Sequence, residues 1–269
     1  MKTISIVNLK GGVGKSITAR DLSYNFSSIG YRVLLIDNDK QGDSSRQYNR
    51  RSEDHPGIDA IMEGYSTVHE IIQATDYKNL DIITANMSLI TANKKVMMNL
   101  KRPQHDRIQR FLREVENEYD FCIIDNAPDI NISVINALSA SQYVIIPVEL
   151  DDNTMEGLDI IMENIREVKE YINPSLEHVN VLITKYDNQN KAHRDAIQEV
   201  KEKLGWPVFD TRIRTSRKVA ESQKARMPIS LYSKRSAAAI DYQAFTEEIL
   251  EKVEKTNEKK RNKTCPSRT

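Results

Sequence analysis

The fold of this chain can be predicted from one part of its sequence, Asn8-Leu9-Lys10-Gly11-Gly12-Val13-Gly14-Lys15-Ser16. It follows an apolar run that is typical of a strand, Ile4–Asn8, and it opens a stretch with helical periodicity, Lys15–Ser28. Glycines allow backbone N–H groups to turn towards phosphate oxygens, and the N-terminus of the following helix adds a partial positive charge. The sequence therefore predicts a phosphate-binding loop; the alternative is a glycine-rich turn that binds no ligand.

Within this loop the residue types predict separate chemical tasks. The Lys15 ammonium is placed to reach the β- and γ-phosphates of a nucleotide, and the Ser16 hydroxyl is placed to bind Mg²⁺. Lys15 is thus a predicted catalytic residue and Ser16 a predicted metal ligand. The predicted nucleotide-binding residues are Lys10, Gly11, Gly12, Val13, Gly14, Lys15, Ser16 and Ile17.

Further along the chain, apolar runs alternate with helical periodicities. The predicted strands are Ile4–Asn8, Arg32–Asp37, Leu80–Thr84, Phe121–Asp125, Tyr143–Val148 and Val179–Thr184. The predicted helices are Lys15–Ser28, Gln104–Glu118, Val134–Ser141, Asn153–Tyr171, Ala192–Leu204 and Ala237–Glu254. Near-continuous Val, Ile and Leu runs are typical of strands that are buried on both faces of a parallel sheet. The pattern predicts an α/β fold with a doubly wound, mostly parallel sheet flanked by helices.

Composition narrows the class of protein. The 269 residues include 39 Lys and Arg, 39 Asp and Glu, and only two cysteines, Cys122 and Cys265, which cannot build a disulfide framework or a four-thiolate metal site. No apolar run is long enough to predict a transmembrane helix, and the first strand leaves no room for a signal peptide. We expect a cytoplasmic protein with one domain over residues 1–254 and a basic, disordered tail over 255–269.

Carboxylates follow two of the predicted strands. Asp37 and Asp39 leave the second strand, and Asp125 ends the apolar run that begins at Phe121. Such residues should project from the carboxyl end of the sheet, where α/β proteins bind their ligands. A phosphate loop needs carboxylates to hold Mg²⁺ and to position water. Capping of the strand ends by Asp37 and Asp39 is the alternative.

The pattern Lys-Gly-Gly-x-Gly-Lys-Ser resembles the deviant Walker A motif of the ParA/MinD ATPases. The resemblance implies that Lys10 reaches across a nucleotide-bridged dimer to the partner's phosphates, that Asp39 positions the attacking water, and that Asp37 supports the Mg²⁺ site. It also implies that Asp125 holds Mg²⁺ through water. Lys40 and Ala127 stand where the family usually has proline, and Leu9 stands where an ordinary phosphate loop has glycine.

The similarity extends to the C-terminal part of the chain. Met227-Pro228-Ile229 and Leu231–Ser236 look like a Gly-x-Pro-Ile…Tyr-Asp-x-x-Ser stretch of the ParA proteins, so the matches cover residues 1–254. The resemblance implies the short form without an N-terminal helix-turn-helix domain. It further implies an ATPase in which Mg-ATP drives a sandwich homodimer onto non-specific DNA at the nucleoid. A ParB-like centromere-binding protein would then stimulate slow hydrolysis and so move a plasmid, mobile element or chromosome.

Charge is distributed unevenly along the chain. Residues 184–269 carry 20 Lys and Arg against 12 Asp and Glu, and residues 212–235 carry eight basic residues against Glu221 alone. This excess predicts a DNA-binding face, because phosphate contacts from Lys and Arg give affinity without sequence preference. A solvated surface is the alternative. The candidate DNA contacts are Lys191, Arg194, Arg214, Arg217, Lys218, Lys224, Arg226, Lys234 and Arg235.

Other functions are weighed on the same residues. A MinD-like membrane-cycling ATPase would need a C-terminal amphipathic helix, but the tail has no apolar stripe. The apolar positions of the last helix (Ile240, Phe245, Ile249, Leu250 and Val253) are better interpreted as packing onto the domain. The intact Lys15, Ser16, Asp39 and Asp125 argue against a regulator that only binds nucleotide. A nitrogenase-type iron protein would need cluster cysteines, which this chain lacks. The segments Thr184–Asp187 and Arg214–Ser216 are weak candidates for contacts to the base.

Overall fold

A seven-stranded sheet forms the centre of the computed structural model, which describes residues 1–151, 154–203 and 207–264. The strands are β1 (Lys2–Ile6), β2 (Val33–Asn38), β3 (Gln73–Ala74), β4 (Leu80–Ile83), β5 (Phe121–Asn126), β6 (Tyr143–Glu149) and β7 (His178–Thr184). Their order is β3-β4-β2-β5-β1-β6-β7, and only the β3–β4 pair is antiparallel. The predicted doubly wound, mostly parallel sheet is confirmed.

Strand side chains pack alternately into helices on the two faces of the sheet. In β2, Val33 and Leu35 belong to one apolar cluster, whereas Leu34 and Ile36 belong to another, and all four are fully buried. A parallel strand covered on both faces has no polar side, which explains its continuous apolar sequence. The buried faces therefore fix the register of the central strands.

Helices connect the strands and cover both faces. They are α1 (Lys15–Ser28), α2 (Asp43–Gln47), α3 (Ile58–Glu63), α4 (Val68–Ile71), α5 (Ser88–Met98), α6 (Arg107–Glu114), α7 (Ile132–Ala140), α8 (Thr154–Tyr171), α9 (Lys191–Lys203), α10 (Arg217–Lys224), α11 (Ile229–Tyr232) and α12 (Ala237–Thr264). One face of the sheet packs against α1 and α12, and the other packs against α3, α5, α6 and α7. Helices α8 and α9 pack with α7 against β6 and β7. None of the helices in the described ranges combines the length and apolar character needed to cross a membrane.

Several predicted boundaries differ from the observed ones. Helix α12 continues past Glu254 to Thr264, and α6 is shorter than the predicted Gln104–Glu118. Ile240 was expected to pack onto the domain but is 49% exposed, whereas Phe245, Ile249 and Val253 are buried as expected. Asn153, Leu204 and Cys265, together with the rest of 265–269, lie outside the described residues.

Candidate nucleotide site

The phosphate loop depends on glycines in left-handed backbone conformations. Gly12 has a φ of 77° and Gly14 a φ of 97°, values that strain any residue with a Cβ atom. A Cβ at Gly14 would also contact the Thr184 side chain, at 3.7 Å. The Thr184 hydroxyl donates to the Val13 carbonyl at 2.8 Å, so the end of β7 holds the loop in place. Thr184 thus positions the loop.

Lys15 and Asn8 shape the interior of the loop. The Asn8 side chain donates to the Pro147 carbonyl and accepts from the Lys10 N–H, which ties the loop to β6. The Lys15 ammonium donates to the Lys10 carbonyl at 2.9 Å, and Lys15 is only 6% exposed. Burial lowers the pKa of Lys15, while the carboxylates of Asp125 and Asp39 oppose that shift. A buried cation near two acids is suited to hold phosphates together with a metal ion.

Asp37 organises the loop that carries Asp39. It is fully buried, and its Oδ2 accepts from the N–H and the hydroxyl of Ser45, both at 2.7 Å. Its Oδ1 accepts from the Asp39 N–H at 3.2 Å. Burial and the nearby Asp125 raise the pKa of Asp37 to about 8. These contacts show Asp37 as a support for the Asp39 loop, and its role at the metal stays a prediction.

Asp125 is the carboxylate best suited to a divalent cation. Its Oδ2 accepts from the Ser44 hydroxyl at 2.7 Å, but its buried Oδ1 has no hydrogen-bond partner among the described residues. Burial raises the pKa of Asp125 to about 6, although the hydroxyls of Ser44 and Ser16 and the Lys15 ammonium lower it in part. An unpartnered carboxylate oxygen beside a serine hydroxyl is the donor set that Mg²⁺ prefers. The residues present therefore fit Mg²⁺.

A cavity of about 530 Å³ opens beside the loop, a size typical of small-molecule sites. Its lining joins the predicted Lys15, Ser16 and Asp39 to residues that sequence reasoning missed. The missed residues are Arg20, Gln41, Asp43, Gln47, Pro128 and Gln223. Buried atoms of Arg20 (Nη2) and Gln47 (Oε1) have no partner among the described residues, so the lining offers both donors and acceptors to a polar ligand. Of these residues, only Arg20 could have been predicted from the sequence, because it lies on the helix that follows the loop.

Lys10 lies at the edge of this region with an exposed side chain. Its ammonium forms an ion pair with Asp151, and the two side chains are 42% and 40% exposed. Exposed ion pairs contribute only about 0–1 kcal/mol, so little holds the ammonium in this position. Lys10 can therefore leave Asp151 for a stronger anionic partner.

The candidate DNA contacts fall into three groups. Six are exposed on α10 or in the turns on either side of α11: Arg217, Lys218, Lys224, Arg226, Lys234 and Arg235. Lys218 is partly balanced by Glu221 at 2.7 Å. Lys191 and Arg194 are exposed on a separate helix, α9. Arg214 differs, because its guanidinium forms a bidentate pair with Asp241 at 2.7–3.1 Å.

The chain is similar to known proteins over most of its length. The sequence profile of a family described as an AAA domain matches residues 1–178. The chain is 34% identical over 249 residues to the sporulation initiation inhibitor protein Soj of Bacillus subtilis, covering 92% of this chain and 98% of Soj. It is 28% identical over 251 residues to the chromosome partitioning protein ParA of Caulobacter vibrioides, covering 93% and 94%. Cobyrinic acid a,c-diamide synthase from Mycobacterium smegmatis, solved with an ATP analog and magnesium, shares the fold at a TM-score of 0.81 and 24% identity, covering 93% and 94%.

Proposed function

Because the chain belongs to the AAA-domain family and, within it, to the ParA-type partition ATPases, we propose that it is an ATP-driven DNA segregation switch. The chain is an ATPase, and Mg-ATP is its substrate complex. ATP binding brings two copies together, the dimer binds DNA through its basic face, and hydrolysis releases it. The observation that carries the proposal is the exposed Lys10 beside a cavity lined by Lys15, Ser16 and Asp39.

Ser16 and Asp125 hold Mg²⁺ in this proposal, since Asp125 offers a buried oxygen without a partner. When bound, Mg²⁺ neutralises developing charge on the phosphate oxygens. The Lys15 ammonium and the N–H groups of the loop bind and orient the phosphates. Asp39 orients a water for attack, held in place by the loop that Asp37 supports.

Lys10 serves the dimer in this proposal. Phosphates of the partner copy attract its ammonium more strongly than the exposed Asp151 does, because a nucleotide presents several negative charges. Dimerisation through such contacts depends on the γ-phosphate, so it is lost after hydrolysis. The bound nucleotide thereby determines whether DNA meets one basic face, in the monomer, or two, in the dimer.

DNA binding uses α10, α11 and the turns beside them. Gln223 on α10 lines the nucleotide cavity, and α11 is joined to α1 by the hydrogen bond from the Ser230 N–H to Asp21 at 3.1 Å. The helices of the basic face are thus in contact with the helix of the phosphate loop. Arg214 is not a primary contact here, because Asp241 already neutralises its charge. Because these residues would contact only DNA phosphates, binding should be sensitive to salt and independent of sequence. The dimer would therefore bind throughout the nucleoid.

A ParB-like centromere-binding partner stimulates hydrolysis in this scheme and thereby moves the attached DNA. Sedimentation velocity of the full chain tests the switch with ATP, ADP and no nucleotide. We expect a dimer with ATP only, and a monomer in every state for Lys10→Ala. Lys40→Ala, a lysine in the neighbouring loop, is the matched control and should dimerise like the wild type. A monomer with ATP, or a Lys10→Ala dimer equal to wild type, would contradict the proposal.

A further inference from the structure

A second cavity, on the other side of the sheet from α1, is rich in arginine. It has a volume of about 420 Å³ and lies between α3, α4, α6 and the segment before α6. Arg102, Arg107 and Arg110 line it together with Glu114, His69 and an apolar side that includes Phe111. None of the residues that line the nucleotide cavity lines this one. The two cavities are therefore separate sites, which we name the phosphate-loop cavity and the arginine cavity.

Arg107 is the notable residue of the arginine cavity. It is only 8% exposed, yet its Nε has no hydrogen-bond partner among the described residues. Its backbone N–H donates to the Asn136 Oδ1 at 2.7 Å, so α7 holds Arg107 in place. Burial lowers the pKa of Arg107, and the positive charges of Arg102 and Arg110 lower it further, while the carboxylate of Asp106 opposes the shift in part. A buried guanidinium N–H without a hydrogen-bond partner is costly unless a ligand accepts from it.

The neighbouring carboxylates do not supply that acceptor. The Asp106 Oδ2 accepts from the Arg110 Nε at 2.7 Å, and Asp106 forms no ion pair with Arg107. Glu114 is exposed at the edge and forms no ion pair within the described part of the chain. Arg102 likewise has no carboxylate within 4 Å among the described residues. Two guanidinium groups, those of Arg102 and Arg107, are thus left for a ligand.

The shape and chemistry of the cavity restrict the class of ligand. Guanidinium groups bind phosphate through paired N–H donors, and two of them match the two negative charges of a phosphate monoester. The apolar side, formed by Ile61, Val68, Ile71 and Phe111, fits a body without charge. A volume of about 420 Å³ holds a small molecule and excludes a folded partner. We propose that the arginine cavity binds a small phosphate monoester with an apolar or aromatic body, without a metal ion.

Phenyl phosphate is the probe, titrated by calorimetry into the full chain with Lys15→Ala, which weakens phosphate binding at the loop. We expect binding that Arg107→Met weakens at least tenfold and that EDTA does not change. Arg102→Gln, a change at an exposed side chain that does not endanger folding, should weaken binding at least threefold. Inorganic phosphate should bind more weakly than phenyl phosphate, because it leaves the apolar side empty, and benzoate should bind most weakly.

Arg113→Gln is the matched control. Arg113 lies on the same helix, α6, contacts Gln109 at 3.3 Å and is not part of the cavity lining. It should leave phenyl phosphate binding within twofold. Equal loss in Arg113→Gln and Arg107→Met would mean non-specific charge attraction and would overturn the proposal. So would unchanged binding in both Arg107→Met and Arg102→Gln, tighter binding of benzoate or of an acidic peptide, or no binding of phenyl phosphate at about 10 mM.

Discussion

The two cavities of this protein both contain a buried cation, but their surroundings differ in charge. Lys15 in the phosphate-loop cavity has the carboxylates of Asp39 and Asp125 nearby, and they oppose the lowering of its pKa. Arg107 in the arginine cavity has Arg102 and Arg110 nearby, which add to the lowering of its pKa, and only Asp106, which is paired with Arg110, opposes it. A cation backed by acids suits a ligand that arrives with its own metal ion. A cation among cations suits an anion alone.

The first prediction tests whether the two cavities act separately, and its expected effect is the largest. Lys15→Ala should lower kcat/KM for ATP at least about 100-fold, because it removes charge stabilisation at the transferred phosphate. Arg107→Met should leave kcat/KM within twofold. Steady-state ATP hydrolysis measures both. A large loss of turnover in Arg107→Met would show that the two cavities are coupled, and the claim that they are separate sites would be wrong.

Metal dependence should separate the cavities next. Asp125→Asn should lower Mg²⁺-dependent ATP turnover about 100-fold, since its unpartnered Oδ1 no longer offers a charged ligand. Hydrolysis measured over a Mg²⁺ titration checks this result, and Ser139→Ala, a buried serine on α7, is the structural control. Phenyl phosphate binding at the arginine cavity should be the same in both variants. Full turnover by Asp125→Asn at low Mg²⁺ would contradict the assignment.

The next prediction concerns the pH dependence of the free energy of unfolding, which depends on a buried carboxylate on α1. Asp21 on α1 is fully buried, and burial raises its pKa to about 6. The folded state therefore keeps a proton that the unfolded chain releases, and this contribution to the free energy of unfolding is lost as pH rises through about 6. Asp21→Asn removes the loss. The free energy of unfolding of the Asp21→Asn variant, relative to that of wild type, should therefore rise between pH 4 and 7 by on the order of 2 kcal/mol.

Urea denaturation at a series of pH values measures the effect of Asp21→Asn. Asp81→Asn, at a half-buried carboxylate on β4, is the matched control for removing one carboxylate. An equal pH slope for wild type and Asp21→Asn would show that folding does not raise the pKa of Asp21.

The smallest expected effect concerns the stability of the arginine cavity. Arg107→Met should hold or raise the free energy of unfolding without ligand, by about 1 kcal/mol, because it removes a buried charge without a carboxylate partner. Urea denaturation at pH 7 measures it, with Arg113→Gln as the exposed control. A loss of 2 kcal/mol or more would mean that Arg107 is a structural residue paired within the fold, and the charge contrast between the cavities would fail.

The phosphate-loop cavity could be predicted from sequence because its residues are close together along the chain. Gly12, Gly14, Lys15 and Ser16 lie in one loop, and the fold places Asp39 and Asp125 at the ends of strands that neighbour one another. The longer strands could also be predicted from sequence, because a strand buried on both faces requires a continuous apolar run. The short strand β3 and the helices α2 to α5 were not predicted, because they are brief or have mixed polarity.

The arginine cavity could not be predicted in the same way. Its lining comes from segments that are distant in sequence. Arg107 and Arg110 have the spacing of an ordinary solvated helix face, and Arg102 precedes that helix. Gln223 was missed for a similar reason, because only the tertiary fold brings α10 to the phosphate loop. The role of Arg214 depends on its pair with Asp241, a residue in another helix. Pairing of this kind depends on the tertiary fold.

The proposed ATP-dependent binding of DNA can be measured by fluorescence anisotropy of a random-sequence DNA duplex across a salt series. We predict binding at least tenfold tighter with ATP than with ADP, falling steeply with salt. Arg217→Ala/Lys218→Ala should weaken it and reduce the salt slope by about 2, whereas Lys169→Ala, at an exposed lysine of α8, should not. Equal binding with ATP and ADP, or a double variant that binds like the wild type, would contradict the account.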